Sequence, residues 1–122
     1  MKKILVVDDD DLIRDLIYEI LEPQGYQILL AENGNRALEI LDKEEIDLII
    51  TDIIMPDKEG IETILDIKKR LPHAKIIAMS GGGQLEANSY LSMAKRLGVN
   101  ATISKPFNPV KLLNVIQEIL EA

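Results

Sequence analysis

The chain of 122 residues contains no cysteine and no tryptophan, and only one phenylalanine and three tyrosines. Without cysteine there can be no disulfide framework and no thiol chemistry. With so few aromatic side chains the core must be aliphatic, and no platform for stacking nucleic-acid bases is evident. Acidic residues outnumber basic residues, and the net charge is therefore −7. This charge argues against direct nucleic-acid binding, since phosphate contacts need clustered lysine and arginine.

Long apolar runs are missing as well. No run approaches the length that spans a membrane, and the apolar stretch after Met1-Lys2-Lys3 is too short for a signal peptide. We therefore expect a cytoplasmic protein with no membrane partner. The length suits one domain, over 1–122, with a single sizeable core.

Short apolar runs alternate with amphipathic segments of helical length, which is typical of parallel strands joined by helical crossovers. This alternation predicts an α/β fold with strands at about 3–8, 26–31, 47–51, 75–79 and 99–103. Helices are predicted at about 11–22, 34–44, 61–71, 84–97 and 108–121. In the first helix the predicted buried stripe consists of Leu12, Leu16, Ile17, Ile20 and Leu21.

Four of the predicted strands end at a polar residue. The first stops at Asp8-Asp9, the third at Asp52, the fourth at Ser80 and the fifth at Lys105. The carboxyl ends of parallel strands lie along one edge of the sheet, and ligands of open α/β sheets bind there. We therefore expect three carboxylates, a hydroxyl and an ammonium group to form one site.

The three carboxylates predict a bound cation. If Asp8, Asp9 and Asp52 lie about 5 Å apart at an effective dielectric near 20, each pair repels by roughly 3 kcal/mol. The total of about 10 kcal/mol is comparable with the stability of a small domain. Ligands that are all oxygen select a hard, partly hydrated cation, for which Mg²⁺ is the best candidate.

Such a site can carry out phosphoryl transfer. A carboxylate beside a metal with open positions can attack phosphorus and form an aspartyl phosphate. The Lys105 ammonium could then contact the phosphoryl group or the attacking carboxylate. The Ser80 hydroxyl, on a loop with glycines at 81–83, could donate to a phosphoryl oxygen.

The whole chain resembles the receiver domain of bacterial response regulators. The residues that carry this resemblance are Val7-Asp8-Asp9, Asp52-Ile53-Ile54-Met55-Pro56 with Gly60, Ser80, and Lys105-Pro106-Phe107. The resemblance implies a doubly wound (βα)5 flavodoxin-like sandwich, whose five-stranded parallel sheet has the order 2-1-3-4-5.

The resemblance also implies roles for the acidic residues. Asp52 matches the phosphoacceptor, and Asp8 and Asp9 match the acidic pair that organises Mg²⁺. The backbone carbonyl of Ile54 is a further expected ligand. The phosphodonor would be a phosphohistidine on a sensor histidine kinase or a histidine phosphotransfer protein. The chain would then be a signalling domain that promotes its own phosphorylation and dephosphorylation, not an enzyme.

Three further positions match the family's switching elements. Ser80 takes the place of the switch serine or threonine, Lys105 that of the family's lysine, and the Lys105-Pro106 peptide is expected to be cis. Thr102 departs from the pattern, because many receivers carry tyrosine or phenylalanine there. Phosphorylation is expected to change the surface formed by helix 4, strand 5 and helix 5 for a downstream effector protein or output domain.

Other functions remain open at this stage. Asp8-x-Asp10 after a strand also imitates the nucleophile motif of haloacid-dehalogenase-type phosphatases, although Ser80-Gly81 stands where that class has an acidic pair. A flavodoxin-like binding module and a receiver fold kept only as an interaction scaffold are two further alternatives. The chain could be a stand-alone regulator or the first domain of a longer one, and it could form a homodimer.

The sequence predicts that an aspartyl phosphate on this chain would be long-lived. Ile54 and Gly82 lie two residues after Asp52 and Ser80, so neither position offers an acid, amide or base to orient an attacking water. We expect Ile54→Asn to shorten the phosphoryl lifetime, measured as the decay of the phosphorylated protein. Equal lifetimes in the wild type and the variant would count against this prediction.

Overall fold

A five-stranded parallel sheet forms the centre of the computed structural model, which describes residues 1–53, 60–80, 92 and 95–121. The strand order is β2-β1-β3-β4-β5, so the chain reverses direction across the sheet after β2. This confirms the doubly wound arrangement expected from the resemblance. The strands are β1 (Lys3–Val7), β2 (Gln27–Ala31), β3 (Leu48–Asp52), β4 (Ile76–Ser80) and β5 (Ala101–Ser104).

Helices follow the strands as the alternating pattern predicts. They are α1 (Asp11–Leu21), α2 (Gly34–Lys43), α3 (Gly60–Arg70) and the C-terminal helix (Pro109–Glu121), with a short 3₁₀ turn at Glu22–Gln24. The predicted helix at 84–97 lies mostly outside the described residues. None of the helices described is long and apolar enough to cross a membrane.

The side chains of each strand alternate between two apolar layers. In β1, Leu5 and Val7 pack with α2 and α3, whereas Ile4 and Val6 pack with α1 and the C-terminal helix. All four are fully buried. A strand covered on both faces must be apolar along its whole length, which is why the central strands read as continuous apolar runs.

Three helices begin close to the carboxyl edge of the sheet, and each has a side-chain cap. The side-chain oxygens of Asp10, Asn33 and Asn108 each accept a backbone N–H from the first turn of α1, α2 and the C-terminal helix. These caps satisfy backbone donors that have no partner within the helix. Each short connection therefore turns directly from the carboxyl end of a strand into the next helix.

The predicted buried stripe of α1 is partly wrong. Ile17 and Leu21 are fully buried, but Leu12 is 77% exposed and Leu16 is 43% exposed. Ile20 packs against the core as predicted, and Ile13, which was not in the predicted stripe, packs there too. Residues 13, 17, 20 and 21 have helical spacing, so the sheet selects this stripe over the neighbouring one that contains Leu12 and Leu16.

Candidate functional site

Three carboxylates meet at the carboxyl edge of the sheet. Asp8 and Asp9 follow β1 and Asp52 ends β3, and these two strands are neighbours. One oxygen from each carboxylate lies within 4.8 Å of the others. Asp8 is fully buried and Asp52 is 6% exposed, whereas Asp9 is exposed. The predicted convergence of these three residues is confirmed.

Lys105, which follows β5, joins two of the three acids. Its Nζ donates to Asp8 Oδ2 at 2.7 Å and to Asp52 Oδ2 at 3.0 Å. The backbone N–H of Lys105 donates to the Ser80 carbonyl at 2.6 Å, which fixes the end of β5 against β4. The Lys105-Pro106 peptide is cis, as the resemblance implies. One ammonium group therefore lies between two buried carboxylates.

Burial and pairing shift the pKa values of Asp8 and Lys105. Desolvation raises the pKa of Asp8, although the hydrogen bonds from Lys105 and from the Asp10 N–H oppose the rise. Burial on its own would lower the pKa of Lys105. The hydrogen bond to Asp8 and the charge of Asp52 outweigh that effect, so the pKa of Lys105 is raised and the ammonium stays charged.

The backbone around Asp8 is held at several points. Its N–H donates to the Ala31 carbonyl at 3.1 Å, and its Oδ1 accepts the Asp10 N–H at 2.9 Å. Asp9 differs, since no hydrogen bond or ion pair to its carboxylate is found within the described part of the chain. The Asp9 side chain is therefore available to an external ligand.

Ser80 ends β4 at the same edge, where it is 1% exposed. Its Oγ is a buried side-chain oxygen for which no hydrogen-bond partner exists among the described residues. A buried hydroxyl without a partner carries a desolvation cost of about 1–3 kcal/mol. The predicted role of Ser80 requires such a donor, which a ligand oxygen at the rim could satisfy.

Thr102 lies in β5 beside Ala78 of β4. A cavity of about 360 Å³ opens between β5 and the start of the C-terminal helix. Its lining includes Thr102, Ser104, Phe107, Asn108, Lys111 and Leu112. The threonine therefore borders open space at the position where many receivers carry an aromatic ring. Ile54, the expected carbonyl ligand, lies outside the described residues.

The donor set fits a hard divalent cation. Carboxylate oxygens come from three residues, and the described residues that offer grouped metal ligands include no histidine or sulfur. Asp9 is exposed at the rim, and Asp8 and Asp52 share a single ammonium, so negative charge is in excess. Mg²⁺ is a suitable ion because it needs few protein ligands and retains water in the other positions.

Arg14 lies outside the predicted buried stripe of α1, and its contact with the site was not predicted from the sequence. Its Nη1 donates to the backbone carbonyl of Asp8 at 2.6 Å, and its Nη2 pairs with Asp11. An arginine one turn into a helix that starts beside an acidic cluster was the available signal. Its target, a main-chain carbonyl, cannot be read from residue types.

The fold and this site agree with comparisons to known proteins. The model of the response regulator receiver domain family matches residues 4–117. The chain is 35% identical to the transcriptional regulatory protein CpxR of Escherichia coli over 98% of its own length, but it spans only 50% of that protein. It is 36% identical to the chemotaxis protein CheY of Halobacterium salinarum, covering 99% of this chain and 98% of that protein.

A solved structure gives the same result. The CheY-like response regulator receiver domain protein from Methanospirillum hungatei superposes with a TM-score of 0.91 at 36% identity, covering 99% of this chain and 94% of that one. The chain therefore belongs to the response regulator receiver domain family, whose members act in two-component signal transduction. This favours a receiver over a phosphatase of the haloacid dehalogenase type.

The contacts of Lys105 predict a large cost for its removal. Lys105→Met leaves two buried carboxylates without their cation, and breaking a buried pair in this way costs about 3–5 kcal/mol. Urea unfolding in the presence of a chelator measures the effect. Lys3→Met is the matched control, since Lys3 pairs with Glu44 at 3.0 Å on the surface and should lose at most about 1 kcal/mol. Equal losses in the two variants would contradict this account.

Proposed function

We propose that this chain accepts a phosphoryl group on Asp52 from a phosphohistidine and passes the signal on through its surface. The observation that carries the proposal is the position of the Asp52 carboxylate at the end of β3. There it lies within reach of two other acids and 3.0 Å from the Lys105 ammonium. A single carboxylate flanked by a cation-binding pair and a fixed lysine is suited to nucleophilic attack on phosphorus.

The proposed step is an in-line transfer. An Asp52 oxygen attacks the phosphorus of the phosphohistidine, so that a P–O bond forms as the P–N bond breaks. The imidazole leaves with the bonding electron pair and takes up a proton, and Asp52 becomes an acyl phosphate. Bound Mg²⁺ supplies charge neutralisation for the phosphoryl oxygens. Hydrolysis by water later returns the carboxylate and inorganic phosphate.

The neighbouring residues stabilise the transferred group. Lys105 is held by Asp8 and Asp52 before transfer, and its ammonium can exchange one carboxylate oxygen for a phosphoryl oxygen. The Ser80 Oγ has no partner among the described residues and can donate to a second phosphoryl oxygen. Asp8, Asp9, Asp52 and the carbonyl of Ile54 would hold Mg²⁺.

Transmission of the signal is proposed to use the surface of helix 4, β5 and the C-terminal helix. Lys105 and Ser80 are linked by the backbone hydrogen bond that joins β5 to β4. Movement at either residue is therefore transmitted to β5, where Thr102 borders the cavity. Because Thr102 has no aromatic ring that could move, the change at the surface would be carried by movement of the β5 backbone. We propose that 1–122 forms one receiver domain that acts on an effector protein or output domain.

An exposed apolar patch beside the site suits the phosphodonor protein. Leu12, Leu16 and Val110 are 77%, 43% and 64% exposed. They lie on α1 and the C-terminal helix, which pack together and both begin near the rim that holds Asp52. Exposed apolar residues next to a reactive group often mark a protein-binding surface. A histidine-bearing helix docked here could present its phosphohistidine to Asp52.

The acceptor role predicts the behaviour of Asp52→Asn. After incubation with acetyl phosphate and Mg²⁺, the wild type should gain one acid-stable, base-labile phosphoryl group by mass spectrometry, and Asp52→Asn should gain none. Asp42→Asn is the control, because it removes an exposed carboxylate that pairs with Arg70 and should be phosphorylated normally. Phosphorylation of Asp52→Asn at the wild-type rate would overturn the proposal.

The apolar patch predicts a separate effect on transfer between proteins. Leu12→Ala combined with Leu16→Ala should slow transfer from a phosphohistidine protein that phosphorylates the wild type, by about tenfold for each 1.4 kcal/mol of lost docking energy. Phosphorylation by acetyl phosphate should be unchanged. Leu65→Ala, at a site 40% exposed on α3, is the matched control. If all three proteins accept phosphate equally fast from the protein donor, the patch does not bind it.

A further inference from the structure

Arg14 makes a contact that its position on a surface helix does not require. An ordinary ion pair within a helix joins residues three or four apart, as Arg14 and Asp11 do. The second contact of Arg14 reaches back across the turn to the Asp8 backbone carbonyl, where Nη1 donates at 2.6 Å. The arginine side chain is only 15% exposed, and its contact with the Asp8 carbonyl is partly shielded from water.

The Asp8 carbonyl matters as an acceptor because it lies in the same peptide plane as the N–H of Asp9. The carbonyl of residue 8 and the N–H of residue 9 belong to one rigid peptide unit. Fixing that carbonyl therefore fixes the direction in which the chain enters Asp9. The Asp9 carboxylate accepts no hydrogen bond from the described residues, so its position depends on how the backbone on either side of it is held.

Most of the other contacts of the turn act on Asp8 itself. Ala31 holds the Asp8 N–H, and Lys105 and the Asp10 N–H hold its carboxylate. Arg14 completes this set by holding the carbonyl. The Asp10 N–H belongs to the peptide that follows Asp9, so its bond to Asp8 Oδ1 holds that peptide. The contact from Arg14 holds the peptide that precedes Asp9.

We infer that Arg14 is a positioning residue for the divalent cation, acting through the Asp8–Asp9 peptide and not by touching the ion. The inference rests on the proposed Mg²⁺ site. Arg14 carries the same sign of charge as the cation, so by charge alone it would weaken binding. Partners that orient metal ligands typically change metal affinity by about 10–100-fold when they are removed. The two effects have opposite signs, which makes them separable.

The test is a calorimetric titration of Mg²⁺ into the chain at constant ionic strength. Arg14→Met should raise the Mg²⁺ dissociation constant by about 10-fold or more, and Arg14→Lys should recover part of the loss by returning one donor. Arg36→Met is the matched control. It removes the same charge from an arginine that pairs with Glu39, three residues along the helix, at 3.0 Å. Arg36 has no described contact with Asp8, Asp9 or Asp52.

Each outcome has a defined meaning. Tighter binding, or unchanged binding, in Arg14→Met would overturn the inference. A wild type that binds no Mg²⁺ would instead remove the proposed function. If Arg14→Met does not fold, Arg14→Lys decides the matter. Weaker Mg²⁺ binding at retained charge, with a shifted Asp9 amide resonance, supports positioning, and wild-type affinity contradicts it.

Discussion

The parallel sheet places several carboxylates close together at its carboxyl edge. The residues around that edge are arranged so that they offset the repulsion between these carboxylates. Asp8 and Asp52 end neighbouring strands and are almost completely buried. Lys105 enters from β5 and bonds to both. One ammonium cannot balance three carboxylates, so the site retains a net negative charge and attracts a cation. A domain of this size is stabilised by only about 5–15 kcal/mol, and repulsion of a few kcal/mol per pair is therefore a large term.

The same constraint explains why the site was largely predictable from the sequence. Strands buried on both faces are uniformly apolar, so the first polar residue after each run marks its carboxyl end. Asp8 and Ser80 were identified in this way, whereas Asp52 and Lys105 follow the polar residues Thr51 and Ser104 at the ends of their runs. The structure brings these strand ends to one rim. The order of the strands could not be obtained from the apolar runs alone. It came from the family resemblance, because the alternation of strands and helices fits more than one order of strands in the sheet.

Two features could not be read from residue types. Apolar residues occupy more than half of α1, so two adjacent stripes were possible, and only packing against the sheet decides that Leu12 and Leu16 point outward. The contact of Arg14 with the Asp8 carbonyl depends on a backbone acceptor whose direction is set by the turn between β1 and α1. Both features concern the surface near the rim. They connect the chemistry of the acidic residues with the partner and the ion that the site is proposed to bind.

The most direct test of this account is the effect of Mg²⁺ on the urea unfolding midpoint of the wild type and of Asp9→Asn. A ligand that binds only the folded state stabilises it by RT ln(1 + [L]/Kd), or about 1.4 kcal/mol when the ion is at ten times its dissociation constant. The account predicts that Mg²⁺ stabilises the wild type. It also predicts that Asp9→Asn is more stable than the wild type without Mg²⁺ and gains little from the ion. A wild type that does not respond to Mg²⁺, or a variant that responds equally, would contradict the claim that these carboxylates form one cation site.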